Sequence, residues 1–363
     1  MKAASATERD LLAAWVGEGI DAITTLDFRH HDLVRALYRA ARGTGDPTSV
    51  RAAQLLRDRV EPGAEVIVSV GFPVYPVFVG ETDGICGAAV LAHVLSAGLR
   101  ARPVLVTEEA IAPFVKAALA AASLDCVTGL EGGRTSAEAT RLVPCVPGPG
   151  PGRECSLALL ERRPAAVLAV EKAGINRVGV PHSSGGTDLG EATAYLEELF
   201  RGAERLGIPT VGIGDQGNEL GMGAIADTAA AITQYGSTCR CPCNQGTASG
   251  VPADITVIGG TSDWGAFGVA AALAFLLDRP DVLPAGETIK SIIRAAVAAG
   301  AIDAVTRTAI PRVDGYTADL CARIADLLCD AITTPGRFAE MEPERYRAGI
   351  ARLRAASAAG AKT

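Results

Sequence analysis

The chain has 363 residues and a formal net charge of −7 at pH 7, and 48% of its residues are apolar against 21% charged. Those proportions are typical of a globular protein, and the length suffices for one large domain or two ordinary ones. Because nucleic acids attract clusters of Lys and Arg, the acidic balance and the lack of any run of five basic residues argue against a nucleic-acid partner.

Membrane insertion, secretion and a disulfide framework are likewise disfavoured. The longest apolar stretch, 264–277, has roughly fourteen residues, whereas a membrane-spanning helix needs ~20. Glu8, Arg9 and Asp10 fall where a signal peptide would carry its apolar run. Nine cysteines, an odd number in a chain of this length, indicate reduced thiols. We therefore expect a cytoplasmic protein without a membrane partner.

Helices are predicted first along the chain, followed by alternating strands and helices. Residues 8–60 have apolar positions spaced near 3.6, which predicts an N-terminal helical segment over 1–62. The predicted strands are 65–70, 103–106, 165–170, 209–213 and 254–258. The predicted helices between them are 87–99, 109–123, 188–206, 220–234 and 265–277. This alternation over 63–335 indicates an α/β fold whose mainly parallel sheet is flanked by helices.

Two further segments complete the predicted organisation. Residues 131–152 include the sequence PCVPGPGPG and are a candidate lid or linker within the α/β domain. Residues 336–363 are charged and have a helical pattern, so a C-terminal helical tail is predicted. The Ala-rich helix surfaces are compatible with a homo-oligomer.

Acidic side chains follow every predicted strand. They are Glu81 and Asp83 after the first strand, Glu108 and Glu109 after the second, Glu171 after the third, Asp215 after the fourth and Asp263 after the fifth. Open α/β sheets bind ligands at the carboxyl ends of their strands, so these acids are candidate site residues. Glu108 and Glu109 are the exception, because the helix dipole favours acids in the opening turn of a helix. A carboxylate beside an apolar run is costly unless a cation, a metal or a substrate amine partners it.

Three motifs allow both a structural and a functional interpretation. Residues 212–217, GIGDQG, match the dinucleotide-binding spacing, but an acid lies where pyrophosphate would bind, so no nucleotide is expected. Cys239, Cys241 and Cys243 could supply zinc ligands. However, C-x-C-x-C is not a standard zinc spacing and no fourth Cys or His is near in sequence, which favours a reduced loop. His182 could reach a site, although the sequence shows no Ser-His-Asp triad.

Several segments together resemble a known family. They are FP and ETDG within 72–84, EKAG at 171–174, GDQGNELGMG at 214–223, GGTSDWGAFGVAAAL at 259–273 and VDG at 313–315. These segments look like the C-terminal domain of D-glutamate cyclases, and the resemblance extends over 65–330. Its most specific motif is G-D-x-G-N-E-x-G-M-G. The chain departs from the family pattern at Asp263, where Asn is usual, and at Ile85 and Cys86, where prolines are common.

The resemblance implies conversion of D-glutamate, a small amino-acid substrate, to 5-oxo-D-proline and water. The α-amine must lose a proton and the γ-carboxylate must lose an oxygen, so a base, an acid and a cationic or Lewis-acidic group are needed. The residues predicted for these roles are catalytic Asp215, Glu219 and Glu171; substrate-binding Lys172, Gly217, Asn218, Ser262, Asp263 and Arg312; and Glu81, Asp83, Glu171 and Asp215 as ligands of a divalent Mn²⁺ or Mg²⁺ ion.

Two other functions are compatible with the same acids. A divalent-metal hydrolase such as a phosphatase could use them, because metal-bound carboxylates also serve phosphoryl chemistry. A non-catalytic sensor could bind an amino acid or a metal and signal through the N-terminal helices. A cyclase differs from both because it releases 5-oxoproline from D-glutamate.

Overall fold

The computed structural model describes residues 8–29, 32–130 and 140–360 of the chain, with side chains as far as 355. The strands are β1 Glu65–Gly71, β2 Pro73–Val74, β3 Val79–Gly80, β4 Arg102–Glu108, β5 Cys126–Thr128, β6 Thr140–Cys145, β7 Ala166–Lys172, β8 Thr210–Gly214, β9 Ile255–Ile258, β10 Arg312–Val313 and β11 Tyr316–Thr317. The helices are α1 Glu8–Thr24, α2 Leu33–Arg42, α3 Thr48–Arg59, α4 Ile85–Leu99, α5 Ala112–Ala121, α6 Pro149–Glu161, α7 Glu197–Leu206, α8 Ala226–Ile232, α9 Ser262–Leu276, α10 Gly286–Ala299, α11 Ala318–Met341 and α12 Pro343–Gly360.

Seven strands form one parallel sheet in the order β5-β6-β4-β1-β7-β8-β9. The central strands β1 and β7 are buried along their whole length, which is typical of a parallel sheet covered by helices on both faces. The pairs β2-β3 and β10-β11 are short antiparallel ladders outside this sheet. The predicted α/β fold with a parallel sheet is confirmed.

The five predicted strands correspond to β1, β4, β7, β8 and β9, with ends within two residues of those expected. The sequence did not predict β5 and β6. Pro144 lies inside β6, but β5 ends opposite Leu142, so β6 is an edge strand at Pro144, where proline is tolerated. Of the candidate lid or linker 131–152, the first nine residues lie outside the described residues. The remainder contains β6 and the start of α6, so that part is not a linker.

Helices α4 and α9 agree with the predictions, whereas three others are shorter than expected. The predicted helix 188–206 is helical only from Glu197, because Ala194 uses its backbone N–H to bind Glu108 and also pairs with Gly148. The predicted helix 220–234 begins with a 3₁₀ turn at Gly223–Ile225 and continues as α8. The predicted helix 109–123 is helical only from Ala112, as α5. Glu108 is the last residue of β4, so it does not lie in the opening turn of a helix as expected.

The N-terminal helices share the core of the α/β domain. Ile20 of α1 and Val50 of α3 belong to the same buried cluster as Trp264 and Phe267 of α9. At the other end, α11 runs through Pro335 without ending, so the expected start of a tail at 336 falls inside a helix. No helix among the described residues is long and apolar enough to cross a membrane.

Two of the nine cysteines are joined, contrary to the expectation that all are free thiols. Cys145 at the end of β6 and Cys155 in α6 form a disulfide, with their Cα atoms 6.5 Å apart. Strand and helix bring the two residues together although ten positions separate them. The other seven cysteines are free.

The strand order reverses between β1 and β7. From β1 the chain moves to β4 and on to the β5 edge, and after β6 it returns to β7 on the other side of β1. At such a switch point the connections leave in opposite directions, which opens a crevice at the carboxyl ends of the two strands.

Candidate active site

A cavity of about 690 Å³ opens at the carboxyl ends of β1, β7 and β8. Five acids line it: the exposed Asp188 and four others, Glu81, Glu171, Asp215 and Asp314, which we call the acidic floor. Other lining residues are Arg29, Phe72, Tyr75, Ser183, Ser184, Asn218, Arg240, Cys241 and Arg307. The predicted site residues Glu81, Glu171 and Asp215 therefore share one cavity.

The GDQGNELGMG turn that follows β8 is held by the side chain of Glu219. Its Oε1 accepts hydrogen bonds from the backbone N–H groups of Asp215 and Gln216, at 2.9 and 2.8 Å. Its Oε2 accepts from the N–H of Gly217 at 2.7 Å, where φ is 89°. Glu219 is fully buried and is not among the described residues that line the cavity. The arrangement makes Glu219 a positioning group for Asp215, and Gly217 gives the turn its shape.

Asp83 lies behind the acidic floor, at the N-terminus of α9. Its Oδ1 accepts from the N–H groups of Gly84 and Asp263, and its Oδ2 from that of Ser262, each at 2.9 Å. The first N–H groups of a helix lack intrahelical acceptors, and the helix dipole favours a carboxylate beside them. Asp83 thereby joins the segment after β3 to the first turn of α9.

A β-bulge directs Glu171 towards the cavity. Strand β7 pairs with β1 at Val170 and next at Lys172, so Glu171 is the extra residue of the ladder. Its φ of 42° is unusual for a residue other than glycine. The Glu171 carboxylate accepts a hydrogen bond from the hydroxyl of Ser262. The predicted residues Glu171 and Ser262 are therefore in direct contact.

Arg29, from the loop after α1, neutralises part of the acidic floor. Its Nη2 donates to Asp314 Oδ2 at 2.5 Å and to Asp215 Oδ2 at 3.3 Å, and its Nη1 donates to the backbone carbonyl of Asp314 at 2.6 Å. The guanidinium also lies over the ring of Tyr316, 5.6 Å from its centroid. This cation bridges the GDQGNELGMG turn and the VDG segment.

Burial shifts the protonation equilibria of the acids around the cavity. Burial, followed by repulsion from neighbouring carboxylates, raises the pKa of Glu81, Glu171 and Asp215 well above the usual range. Burial and the nearby Asp314 carboxylate raise the pKa of Asp83 to about 7, although three backbone N–H groups oppose the shift. Repulsion among these carboxylates therefore opposes their simultaneous ionisation.

Asp263, at a position where the resemblance described above implies Asn, lies behind the cavity in the first turn of α9. Its Oδ1 accepts from the N–H of Gly87 at 2.6 Å, and its Oδ2 has no hydrogen-bond partner among the described residues. Burial and, next, the Asp83 carboxylate raise the pKa of Asp263 well above its usual range. The raised pKa favours the protonated carboxyl group, which is neutral and has the size of the Asn side chain.

Two groups of acids could hold a divalent ion. The carboxylate oxygens of Asp83, Asp215 and Asp314 lie within 4.8 Å of one another, as do those of Glu171, Asp215 and Glu219. In each group one acid already accepts three backbone hydrogen bonds, Asp83 in the first and Glu219 in the second. The predicted ligand set is therefore divided, and Glu81 belongs to neither group although it lines the cavity.

Only some of the predicted substrate-binding residues line the cavity. Asn218 lines the cavity and donates through Nδ2 to the backbone carbonyl of His182 at 3.0 Å. Lys172 is fully buried in an ion pair with Glu108, and Arg312 lies in β10; neither is among the described residues lining the cavity. The cationic side chains that do line it are Arg29, Arg240 and Arg307.

Sequence reasoning did not assign a role to Arg29 or Asp314. Asp314 was within a quoted segment, VDG, and it has a φ of 54°, a conformation that Asp adopts more readily than most residues. Arg29 is an arginine in a loop, 186 residues before Asp215, and no local pattern marks it. The sequence also left His182 apart from the three cysteines, which the fold brings together.

Comparison with known proteins identifies the family. The family described as D-glutamate cyclase-like, C-terminal, matches residues 26–328 of the chain. A human protein, the mitochondrial D-glutamate cyclase, is 32% identical to the chain over 111 residues. That match covers 30% of this chain and 17% of the human protein. The chain therefore belongs to the D-glutamate cyclase-like family, whose C-terminal region it matches from the loop after α1 to α11.

Proposed function

We propose that this protein is an enzyme that converts D-glutamate to 5-oxo-D-proline and water. In this reaction the α-amine nitrogen bonds to the carbon of the γ-carboxyl group, a C–O bond of that group breaks, and the released oxygen leaves as water with two protons that come from the ammonium group. The observation that carries the proposal is the acidic floor, buried in a cavity that arginines also line. Membership of the family supports the same reaction.

The charges of the cavity match those of the substrate. An ammonium group is attracted to the acidic floor, where Glu171 and Asp215 are buried. The α-carboxylate of the substrate would pair with Arg240 or Arg307, which line the cavity. Because the amine and the γ-carboxyl group belong to one bound molecule, ring closure gains from orientation.

Two residues are our candidates for the proton transfers. Asp215 would accept the proton of the ammonium group, because it lines the cavity and is held by the turn that Glu219 organises. Glu171 would protonate the departing oxygen, because the bulge directs it to the same cavity and Ser262 orients its carboxyl group. Glu219 acts through Asp215 as a positioning residue.

A divalent ion, Mn²⁺ or Mg²⁺, is part of the proposal. Asp83, Asp215 and Asp314 would hold it, because their oxygens are close together and carboxylates suit both ions. Several buried acids lie close together in this region, and Arg29 pairs with only two of them, Asp215 and Asp314. A divalent ion would offset the repulsion among their carboxylates. When bound, the ion would polarise the γ-carboxyl group as a Lewis acid.

The same group of three acids favours one rival function, a metal-dependent hydrolase acting on a phosphate ester. A hydrolase of this kind would release phosphate from an aryl phosphate only when the metal is present. A sensor would bind D-glutamate without changing it. These outcomes can be separated from cyclisation in one set of measurements.

The test follows the substrate by proton NMR. The purified chain is given D-glutamate, L-glutamate or p-nitrophenyl phosphate, with and without added Mn²⁺ or Mg²⁺. We expect 5-oxoproline from the D isomer alone, stimulated by the ion, and no product with Asp215→Asn. Asp281→Asn, which changes an exposed acid that does not line the cavity, should behave as the parent protein. Absence of 5-oxoproline under every condition would overturn the proposal.

A further inference from the structure

A second cluster of metal-binding side chains lies beside the cavity, apart from the acidic floor. It consists of His182, Cys239, Cys241 and Cys243, whose ligand atoms all lie within 4.8 Å of one another. His182 and Cys239 are buried, and Cys241 and Cys243 are half-buried. None of the three thiols takes part in the disulfide. The proposed cyclisation does not use this cluster.

The distances within the cluster approach those of a tetrahedral metal site. Cys239 Sγ lies 3.6 Å from Cys241 Sγ and 3.3 Å from Cys243 Sγ. His182 Nε2 lies 3.1 Å from Cys241 Sγ and 3.6 Å from Cys243 Sγ. Four ligands around zinc, with Zn–S near ~2.3 Å and Zn–N near ~2.0 Å, stand about 3.5–3.8 Å apart. The described side chains therefore already surround a position that zinc could occupy with little movement.

The surroundings of the ligands also suit a metal. His182 Nδ1 lies 2.9 Å from the backbone carbonyl of Val180, so Nδ1 carries the hydrogen and Nε2 presents its lone pair to the cysteines. The backbone N–H of Cys243 donates to Cys241 Sγ at 3.4 Å, and Asn176 Nδ2 lies 3.5 Å from Cys243 Sγ. Such donors stabilise thiolates, the form of cysteine that binds metals.

We propose that His182, Cys239, Cys241 and Cys243 bind one zinc ion in a closed, structural site. Three thiolates and one imidazole form a Cys₃His set, which is a ligand set of structural zinc. The ion leaves no open position for substrate, so it does not take part in the chemistry. Binding replaces the three thiol protons with zinc and involves no oxidation.

The site would fix one wall of the cavity. Four residues of the zinc-binding segments line the cavity. They are the ligand Cys241 and three residues within two positions of a ligand, Ser183, Ser184 and Arg240. The backbone carbonyl of His182 accepts from Asn218, which connects the zinc ligands to the GDQGNELGMG turn. Zinc would thus join two segments that are 59 residues apart in sequence, the one at His182 and the one at Cys241.

The first test is the metal content of the full chain, purified under reducing conditions and measured by mass spectrometry. We expect about one zinc ion per chain, and less than about a tenth of that in His182→Ala and Cys241→Ser. Cys329→Ser, which changes a half-buried free cysteine of α11, is the matched control and should retain zinc. Asp215→Asn should also retain it, which separates this site from the acidic floor.

A second measurement uses the unmodified chain, so it does not depend on whether the variants fold. Co²⁺ added after removal of zinc should produce thiolate charge-transfer bands and the visible bands of tetrahedral cobalt. Removal of zinc should also speed tryptic cleavage after Arg240, which is exposed in the zinc-binding segment. The proposal is overturned if the reduced chain contains less than about a tenth of an equivalent of zinc and Co²⁺ gives no thiolate bands. Retention of zinc by both ligand variants would overturn it as well.

Discussion

Lys172 and Glu108 form an ion pair in which both side chains are withdrawn from solvent. The pair joins the carboxyl ends of β7 and β4 across β1. Glu108 Oε1 also accepts a hydrogen bond from the N–H of Ala194 at 2.9 Å. Lys172 therefore contributes to the structure of the sheet, whereas Glu171 beside it lines the cavity.

Replacing only Lys172 should be far more damaging than replacing both members of the pair. Lys172→Met leaves Glu108 buried without a counter-charge, which is expected to cost about 3–5 kcal/mol of the free energy of unfolding. The double variant Glu108→Gln/Lys172→Met removes both charges and keeps an oxygen for Ala194, so it should recover most of that loss. Urea unfolding of both variants measures the difference.

The surface pair Arg279–Asp281 provides the control for this experiment. Arg279→Met breaks an exposed pair and should leave the urea midpoint unchanged. If the double variant is as unstable as Lys172→Met, the loss does not arise from an unpaired buried charge.

Asp215→Asn tests the predicted base of the cyclisation. The amide keeps the shape of the side chain but cannot accept the proton of the substrate ammonium group. We expect kcat to fall by at least about 10²-fold, the lower end of the usual contribution of general-base catalysis. The initial rate of 5-oxoproline formation gives kcat, and urea unfolding checks that the fold is retained. Wild-type kcat in a folded Asp215→Asn variant would refute the assignment.

Short runs rich in β-branched residues, alternating with longer helical stretches, made the central sheet predictable. The rule that ligands bind at carboxyl strand ends then brought Glu81, Glu171 and Asp215 into one site. The rule does not specify side-chain direction, and the bulge at Glu171 decides that Glu171 enters the cavity while Lys172 pairs with Glu108. The extra residue of a bulge leaves no sequence signal of its own in this strand.

Contacts between segments that are distant in sequence are a second feature of the site that the sequence did not predict. Arg29 reaches Asp215 from 186 residues away, and His182 reaches Cys241 from 59 residues away. The zinc spacing rules used on the sequence require ligands that are close along the chain. A Cys-x-Cys-x-Cys segment completed by a distant histidine is recognised only once the fold is known.

Divalent ions should stabilise the protein if Asp83, Asp215 and Asp314 bind one. An ion present at 100 times its dissociation constant adds about 2.7 kcal/mol to the free energy of unfolding. Thermal unfolding with increasing Mn²⁺ or Mg²⁺ should therefore shift upwards in the parent protein. The shift should be lost in Asp314→Asn. Unchanged unfolding with both ions, together with full activity after chelation, would argue against a metal at the acidic floor.

Gly84→Ala should disturb the site through Glu171. Gly84 has a φ of 78°, and a Cβ atom there would lie 2.4 Å from Glu171 Cβ and 2.9 Å from the Val170 carbonyl oxygen. The strained backbone costs about 1–2 kcal/mol, and relief of the overlap adds about 1–3 kcal/mol. Displacement of Glu171 should also lower kcat.

Gly63→Ala is the matched control for this substitution. Gly63 has a φ of 80°, but a Cβ atom there has no neighbour within 4 Å. It should carry the backbone cost alone and leave kcat unchanged. Equal stability losses in the two variants would show that the contact with Glu171 does not matter.

Asp263→Asn should stabilise the protein increasingly as the pH rises. Burial keeps Asp263 protonated in the folded state above the pH at which the unfolded chain releases the proton, near ~3.9. Between that value and the raised pKa, the parent protein loses up to about 1.4 kcal/mol of stability per pH unit through this group. Below ~3.9 Asp263 is protonated in both the folded and the unfolded chain, so this loss of stability is absent. Asn does not titrate, so its contribution to stability does not change with pH.

The expected difference in unfolding free energy between Asp263→Asn and the parent therefore grows from about pH 4 upwards. The amide oxygen can still accept from the N–H of Gly87, and the amide nitrogen takes the place of Oδ2, which has no partner among the described residues. Urea unfolding between pH 4 and pH 8, without added divalent ions, measures the trend, with Asp281→Asn as an exposed control. A difference that stays constant over this range would mean that Asp263 is ionised in the folded protein, and then Asn at this position would remove a buried charge that the cavity uses.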